Sequence, residues 1–374
     1  MAETPDAVVA GHICLDVIPQ LSHITPDMFD AVFTPGRLTE VGPVAFSTGG
    51  AVSNTGLALH KLGIATRLMG KIGDDTFGQA VMQIIAAHGS DLTGGMVVDP
   101  AANTSYTIVI NPPGLDRIFL HCPGANSGFG AEDVRYDLLT GARLFHFGYP
   151  PIMARMYGDQ GAELVALFRR AKATGVTTSL DMSLPDPASP AGRAPWRKII
   201  ERTLPWLDLF VPSLEETLYM LRRETCDRLR QAASDADLLS QGHRGLYLRT
   251  AERAAIEAMG RARPSNAKAW ARRELWAPCF SVEVVGATGA GDATIAGFLN
   301  GLLQDMPPEG ALTAAVAVGA CNVEAADALS GIHTWDETLR RVAAGWPRRE
   351  LGLNAPGWRF DAARQLWIGP ADQA

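Results

Sequence analysis

Hydrophobic positions fall into two rhythms along this chain: short apolar runs of strand length, and longer stretches where apolar residues recur with a helical period. Residues 7–11 form the first run, ended by Gly11, and residues 13–18 continue it in extended form. Residues 19–45 are rich in Pro, Gly and Thr, which predicts short strands and turns. Over residues 53–62, Leu57, Ala58 and Leu62 share one helical side, and Gly63 stops the run. The alternation then repeats. Strands are predicted at 66–70, 144–148, 176–181 and 207–211, and helices at 77–87, 161–173 and from 215. Such units predict an α/β fold with a mainly parallel sheet covered by helices.

Some stretches break the rhythm. Residues 104–110 and 117–121 read as strands joined by the turn Asn111-Pro112-Pro113-Gly114, a hairpin without a crossover helix. Together with 13–45 this predicts a small β element placed over the strand ends as a lid. Residues 284–285 read as a short β-branched strand, and 311–328 as one Ala-rich helix. Trp358, Phe360 and Trp367 predict that the tail at 347–374 is tied onto the domain.

Composition narrows the partners. The chain has 374 residues, 47% of them apolar and 20% charged, enough for one large α/β domain or two smaller ones. A formal charge of -7 gives no electrostatic reason to expect nucleic acid or an anionic membrane surface. No apolar run reaches membrane-spanning length. Five scattered cysteines with no ligand-like spacing argue against a disulfide framework or a structural zinc site. The expectation is a cytoplasmic protein. His12, His146 and His333 share no ligand spacing either, although His12 lies close to Asp16.

Candidate chemistry concentrates at 284–299. Gly286, Gly289 and Gly291 fall within six residues, ahead of an apolar helical pattern. A glycine turn opening a helix leaves N–H groups unpaired at the helix's positive end, where an anion fits. Asp292 at the mouth of that helix could cap it or accept a proton from a hydroxyl. A Walker loop would need Gly-Lys-Ser/Thr, which is absent, and a dinucleotide fingerprint has a different spacing. What remains is an anion hole beside a base, the arrangement phosphoryl transfer needs, or a purely structural turn.

Thr288-Gly289-Ala290-Gly291-Asp292 resembles the C-terminal signature Asp-Thr-x-Gly-Ala-Gly-Asp of the ribokinase-like, or PfkB, family of carbohydrate and nucleoside kinases. Gly49-Gly50-Ala51-Val52-Ser53-Asn54 through Leu62-Gly63 resembles its N-terminal signature, and residues 70–78 resemble Gly-x-Val-Gly-x-Asp-x-x-Gly. The resemblance spans about residues 7 to 345. It implies a ribokinase-like three-layer sandwich with a mainly parallel central sheet and a small β-sheet lid. The kinase domain would cover 1–346, with lid segments at about 13–45 and 102–123, and the tail 347–374 packed on it.

The resemblance further implies ATP-dependent phosphorylation of a hydroxymethyl group on a small sugar or polyol, assisted by Mg²⁺. The alternatives are a nucleoside as acceptor, or a sugar-binding regulatory protein with weak catalysis. Asp292 falls on the catalytic base, and Gly289, Ala290 and Gly291 fall on the anion hole. Asp16, Gly49, Gly50 and Asn54 match the sugar pocket, with Thr104 and His121 of the lid as further contributors. Ser213, Thr288 and Asn322 fall near the nucleotide, and Glu216 takes the place of the glutamate associated with Mg²⁺. Ser213 replaces the family's asparagine, and Ser213-x-x-Glu216 is by itself also a capping box. Gly286 stands where the family has an aspartate that helps hold potassium, which speaks against potassium activation. Lids of this family often pair between subunits, which implies a homodimer.

Overall fold

The computed structural model opens with strands β1 (Ala7–Gly11), β2 (Cys14–Pro19) and β3 (Val44–Gly49), then helix α1 (Ala51–Lys61). Strands β4 (Thr66–Met69) and β5 (Lys71–Gly73) lead into helix α2 (Thr76–His88). Strands β6 (Val97–Asp99), β7 (Tyr106–Ile110), β8 (Ile118–Cys122) and β9 (Leu144–Gly148) precede helix α3 (Ala162–Ala173). Next come β10 (Thr177–Leu180), β11 (Leu209–Phe210), helix α4 (Leu214–Leu221), β12 (Leu246–Arg249) and β13 (Glu274–Ala277). Helices α5 (Ala290–Leu303), α6 (Pro308–Asn322) and α7 (Trp335–Ala343) lead to strands β14 (Arg359–Asp361) and β15 (Leu366–Ile368). The structure describes residues 4–32, 34–115, 117–232, 244–353 and 355–373.

The central sheet has the order β11-β10-β9-β1-β4, and every pair in it is parallel. Four of its strands are buried at every residue, because helices cover both faces. Alternation along β1 separates the two cores. Ala7 and Val9 join Leu57, Leu68, Ala296 and Leu299 on the side of α1 and α5. Val8 and Ala10 join Phe145, Phe147, Leu167 and Phe168 on the side of α3. These are the three layers expected from the sequence.

A second sheet, β3-β2-β7-β8, draws β2, β7 and β8 from the segments expected at 13–45 and 102–123, while β3 at 44–49 extends past the first of them. Its register puts Asp16 opposite Ser47 and Thr107, and Thr107 opposite His121, so one face carries a polar row. The adjacent row, Phe46, Val17, Ile108 and Leu120, lies on the other face and is apolar. Period-two alternation thus places the polar row on one face, which also carries Val109 and Phe119, and the apolar row on the other.

The tail does more than rest on the domain. Strands β14 and β15 complete an antiparallel sheet of order β12-β13-β15-β14. Two expectations fail. Residues 284–285 form no strand: Val284 and Val285 are exposed, and the Val285 and Gly286 amides both bond the Val323 carbonyl. The helix expected at 311–328 ends at Asn322, because the chain turns there to receive that glycine loop.

Candidate active site

The carboxyl ends of the parallel strands converge on one region, the usual location of ligands in such sheets. Helix α5 opens there at Gly289, whose φ of 71° suits glycine and whose position carries no side-chain cap. A Cβ at Gly289 would come 2.6 Å from Ala328 Cβ, so a larger residue would push the turn off the 323–328 segment. A Cβ at Gly291 would meet open space, so the helix start faces an accessible volume. The Ala290 amide donates to the Ala287 carbonyl at a long 3.3 Å, and with no side-chain cap this positive end can still take an anion.

Asp292 sits in the first turn of α5 and is 4% exposed. Its carboxylate accepts from Thr55 Oγ1 at 2.7 Å, Tyr149 Oη at 2.7 Å and Asn54 Nδ2 at 3.2 Å. Burial pushes its pKa up, while the three donors oppose that shift. Asn54 and Thr55 come from α1, so the glycine-rich start of one helix meets the acid at the start of another. Tyr149 follows β9 with a φ of 67° ahead of Pro150, a strained backbone that aims its hydroxyl at Asp292. Burial and the neighbouring carboxylate raise the phenol's pKa, so it stays a donor.

Two further acids lie near. Asp181, just past β10, and Glu216, in the first turn of α4, are both pushed above the usual carboxylate range by burial. The Glu216 and Asp292 charges add to the shift at Asp181, and the Asp292 and Glu215 charges add to it at Glu216, where bonds from Ser213 oppose it. Asp181 and Asp292 are buried and Glu216 is half-buried, and their carboxylate oxygens are the kind of donor a hard divalent cation such as Mg²⁺ takes. The Glu216 carboxylate also accepts from the Ser213 amide at 2.7 Å, and the Glu216 amide donates to Ser213 Oγ at 3.2 Å, a complete capping box.

On the lid side, a Cβ at Gly49 would fall 2.5 Å from Asp16 Oδ2, and one at Gly50 would fall 2.4 Å from His12 Nδ1. The glycines therefore let the α1 entrance close against Asp16 and His12. Burial lifts the Asp16 carboxyl to about 6, although Cys14 and Thr107 donate toward it. His12 and His121 are both shifted down, chiefly by burial, and face each other with ring centroids 5.1 Å apart. Arg117, at the start of the lid's last strand, reaches the Thr288 hydroxyl and so joins the lid to the glycine turn.

Residues 5–335 match the family described as pfkB family carbohydrate kinase. The chain belongs to that family. It is 27% identical over 322 residues to a probable fructokinase-5 of Arabidopsis thaliana, covering 85% of this chain and 90% of the relative. It is 26% identical to fructokinase-2 of Oryza sativa subsp. japonica, covering 81% and 82%. Solved structures share the fold. A Xylella fastidiosa fructokinase with bound ATP superposes with a TM-score of 0.63 at 20% identity, over 91% of this chain and 99% of that one. Arabidopsis thaliana ribokinase complexed with ribose and ATP gives 0.64 at 17%, over 90% and 98%.

Not every residue singled out in this pfkB-family chain lies in the cluster. Thr104 spends its hydroxyl and amide on Asp75, each at 2.7 Å, and thereby fixes the cap of α2. Asn322 is fully buried, and its Nδ2 donates to the Ala328 carbonyl at 2.7 Å, holding the turn against which Gly289 packs. At Gly286 a Cβ would come 2.9 Å from the Ala325 and Ala326 carbonyl oxygens, so backbone fills the space a side chain would need. Thr55, Tyr149 and Asp181 were missed by sequence reasoning. Asp181 carried a signal, as an acid closing a buried parallel strand.

Proposed function

We propose that the chain is an ATP-dependent sugar kinase that phosphorylates a hydroxymethyl group, with fructose the first acceptor to test. The names of the curated relatives support that choice of acceptor. The observation that carries the reading is the meeting of Asp292, with its three donors, and the uncapped start of α5 beneath the polar row of the lid sheet.

The terminal phosphate of ATP sits on the amides of Gly289, Ala290 and Gly291, where charge on its equatorial oxygens is stabilised. Asp292 takes the acceptor's proton as its hydroxyl attacks phosphorus. Asn54, Thr55 and Tyr149 hold the carboxylate oriented and ionised until the acceptor arrives. Asp16 binds acceptor hydroxyls, and Arg117 brings a positive charge to the phosphate mouth as the lid closes. Glu216 and Asp181 would hold Mg²⁺, which supplies charge neutralisation at the phosphates. The apolar side of the lid pairs with a second copy of this chain.

The test is an ATP-consumption screen across fructose, other sugars, polyols and nucleosides, run in sodium and in potassium. Turnover should be confined to sugars and equal in the two salts. Asp292→Asn should lower turnover by about 100-fold or more while ATP binding persists. An Asp292→Asn enzyme with wild-type turnover would remove the base.

A further inference from the structure

We propose that His12, Cys14 and His121 form a binding site for a soft divalent cation of the zinc class, completed by the lid strand β8. His12 lies just past the end of β1, Cys14 opens β2 and His121 comes from β8. One ligand atom from each lies within 4.8 Å of the others. A tetrahedral zinc site with bonds of about 2.0–2.3 Å places its ligand atoms roughly 3.3–3.8 Å apart, so a small inward movement of the lid strand suffices.

The independent sign of a ligand is His12. It is 2% exposed, and both of its ring nitrogens are buried without a partner. Buried polar groups are normally satisfied, and this ring faces the thiol and the second imidazole. The outer contacts also fit. Thr107 Oγ1 lies 3.0 Å from His121 Nδ1 and orients that ring, as outer-shell partners of metal-binding histidines do.

Charge balance favours a divalent ion. Cys14 Sγ lies 3.3 Å from Asp16 Oδ1. On binding, the sulfur–metal bond forms, the S–H bond breaks and the proton leaves to solvent. The two positive charges then meet one thiolate and one carboxylate, a neutral buried group. Two nitrogens and a sulfur select zinc-class ions over Mg²⁺ or Ca²⁺, which prefer oxygen. Sequence spacing hides the set, because β8 reaches the end of β1 only through the lid sheet. An ion there would tie the lid strand to the central sheet and occupy the corner beside Asp16, excluding the acceptor. That consequence rests on the sugar-kinase reading; the site itself does not.

The experiment titrates the full-length, metal-free protein with Co²⁺ in the absence of nucleotide. One equivalent should develop a thiolate-to-cobalt charge-transfer band with tetrahedral d–d absorption, and Zn²⁺ should displace it. Cys14→Ser should abolish the charge-transfer band. His121→Gln, on the exposed lid strand, should weaken affinity by about 100-fold or more and serves if Cys14→Ser does not fold. Cys321→Ser should leave the spectrum unchanged, since Glu324 in that second cluster is paired with Arg341. Absence of the band, or its survival in Cys14→Ser and at full affinity in His121→Gln, would overturn the site. Zinc should also raise the KM for the acceptor at constant kcat; an unchanged KM with metal bound would overturn the exclusion.

Discussion

Asp292 is pulled in two directions, and its pH behaviour follows. Burial raises its pKa and three donors lower it, with burial prevailing. The base must be ionised, so kcat/KM falls as pH drops through that raised value, above the ordinary carboxylate range. Tyr149→Phe removes a donor to the ionised form, so the acid limb should move up by about one unit. An unmoved or lowered limb would detach Tyr149 from the base. Asp16 provides a second test. Its folded pKa of about 6 lies above the ordinary aspartate value of 3.8, so the native state holds the extra proton between those values. Stability therefore falls as pH rises through that window, by about 3 kcal/mol once ionisation is complete. Asp16→Asn should recover up to about that amount at pH 8 and almost nothing near pH 4 in denaturant titrations, while the KM for the acceptor rises. The two residues also differ from Tyr149 in legibility. Asp16 and Asp292 stand in local signatures, whereas Tyr149 meets Asp292 across 143 positions and looks in sequence like the start of a Pro-Pro turn.

At the scale of elements, strands buried on both faces were readable because nothing competes with their apolar pattern. Strand β1 is such a run, and its alternation between two cores is invisible only because both sides are apolar. The stretch 284–285 misled because β-branched side chains suggest a strand, while the Val285 and Gly286 amides are both taken by the Val323 carbonyl just past α6. The tail was legible as attached but not as sheet-forming, since three-residue strands leave no periodicity to read. Its anchor is Arg273, whose side chain is 6% exposed and bonds Asp372 at 2.9 Å and Glu309 at 2.6 Å. Trp358 adds ring contacts to Tyr247 and Trp276 at 6.2 and 6.1 Å. Arg273→Met leaves two acids facing a buried apolar chain and should cost about 3–5 kcal/mol in chemical denaturation. Arg273→Met combined with Asp372→Leu should recover part of the loss, and no recovery would show that the cation serves something other than the tail.

For the whole molecule, the proposed pairing of two copies can be tested on the lid sheet. Its polar row of Asp16, Ser47, Thr107 and His121 lies on the face proposed to meet the acceptor, which leaves the opposite face for the proposed partner. There Val44, Phe46, Ile118 and Leu120 are 47%, 53%, 40% and 50% exposed, on the two edge strands of the sheet. Two such sheets meeting by these faces would bury the same residues twice over, the self-complementarity a two-fold dimer requires. Phe46→Glu with Leu120→Glu places charge on both outer strands of that face while leaving the polar row unchanged. The wild-type chain should sediment as a dimer at micromolar concentration, and the double variant should dissociate at least about 100-fold more readily. Because the central cores do not include these side chains, thermal unfolding of the variant should still be cooperative. A wild-type monomer at that concentration would mean the apolar face is covered in some other way, and a dimer untouched by the double variant would move the contact off the lid.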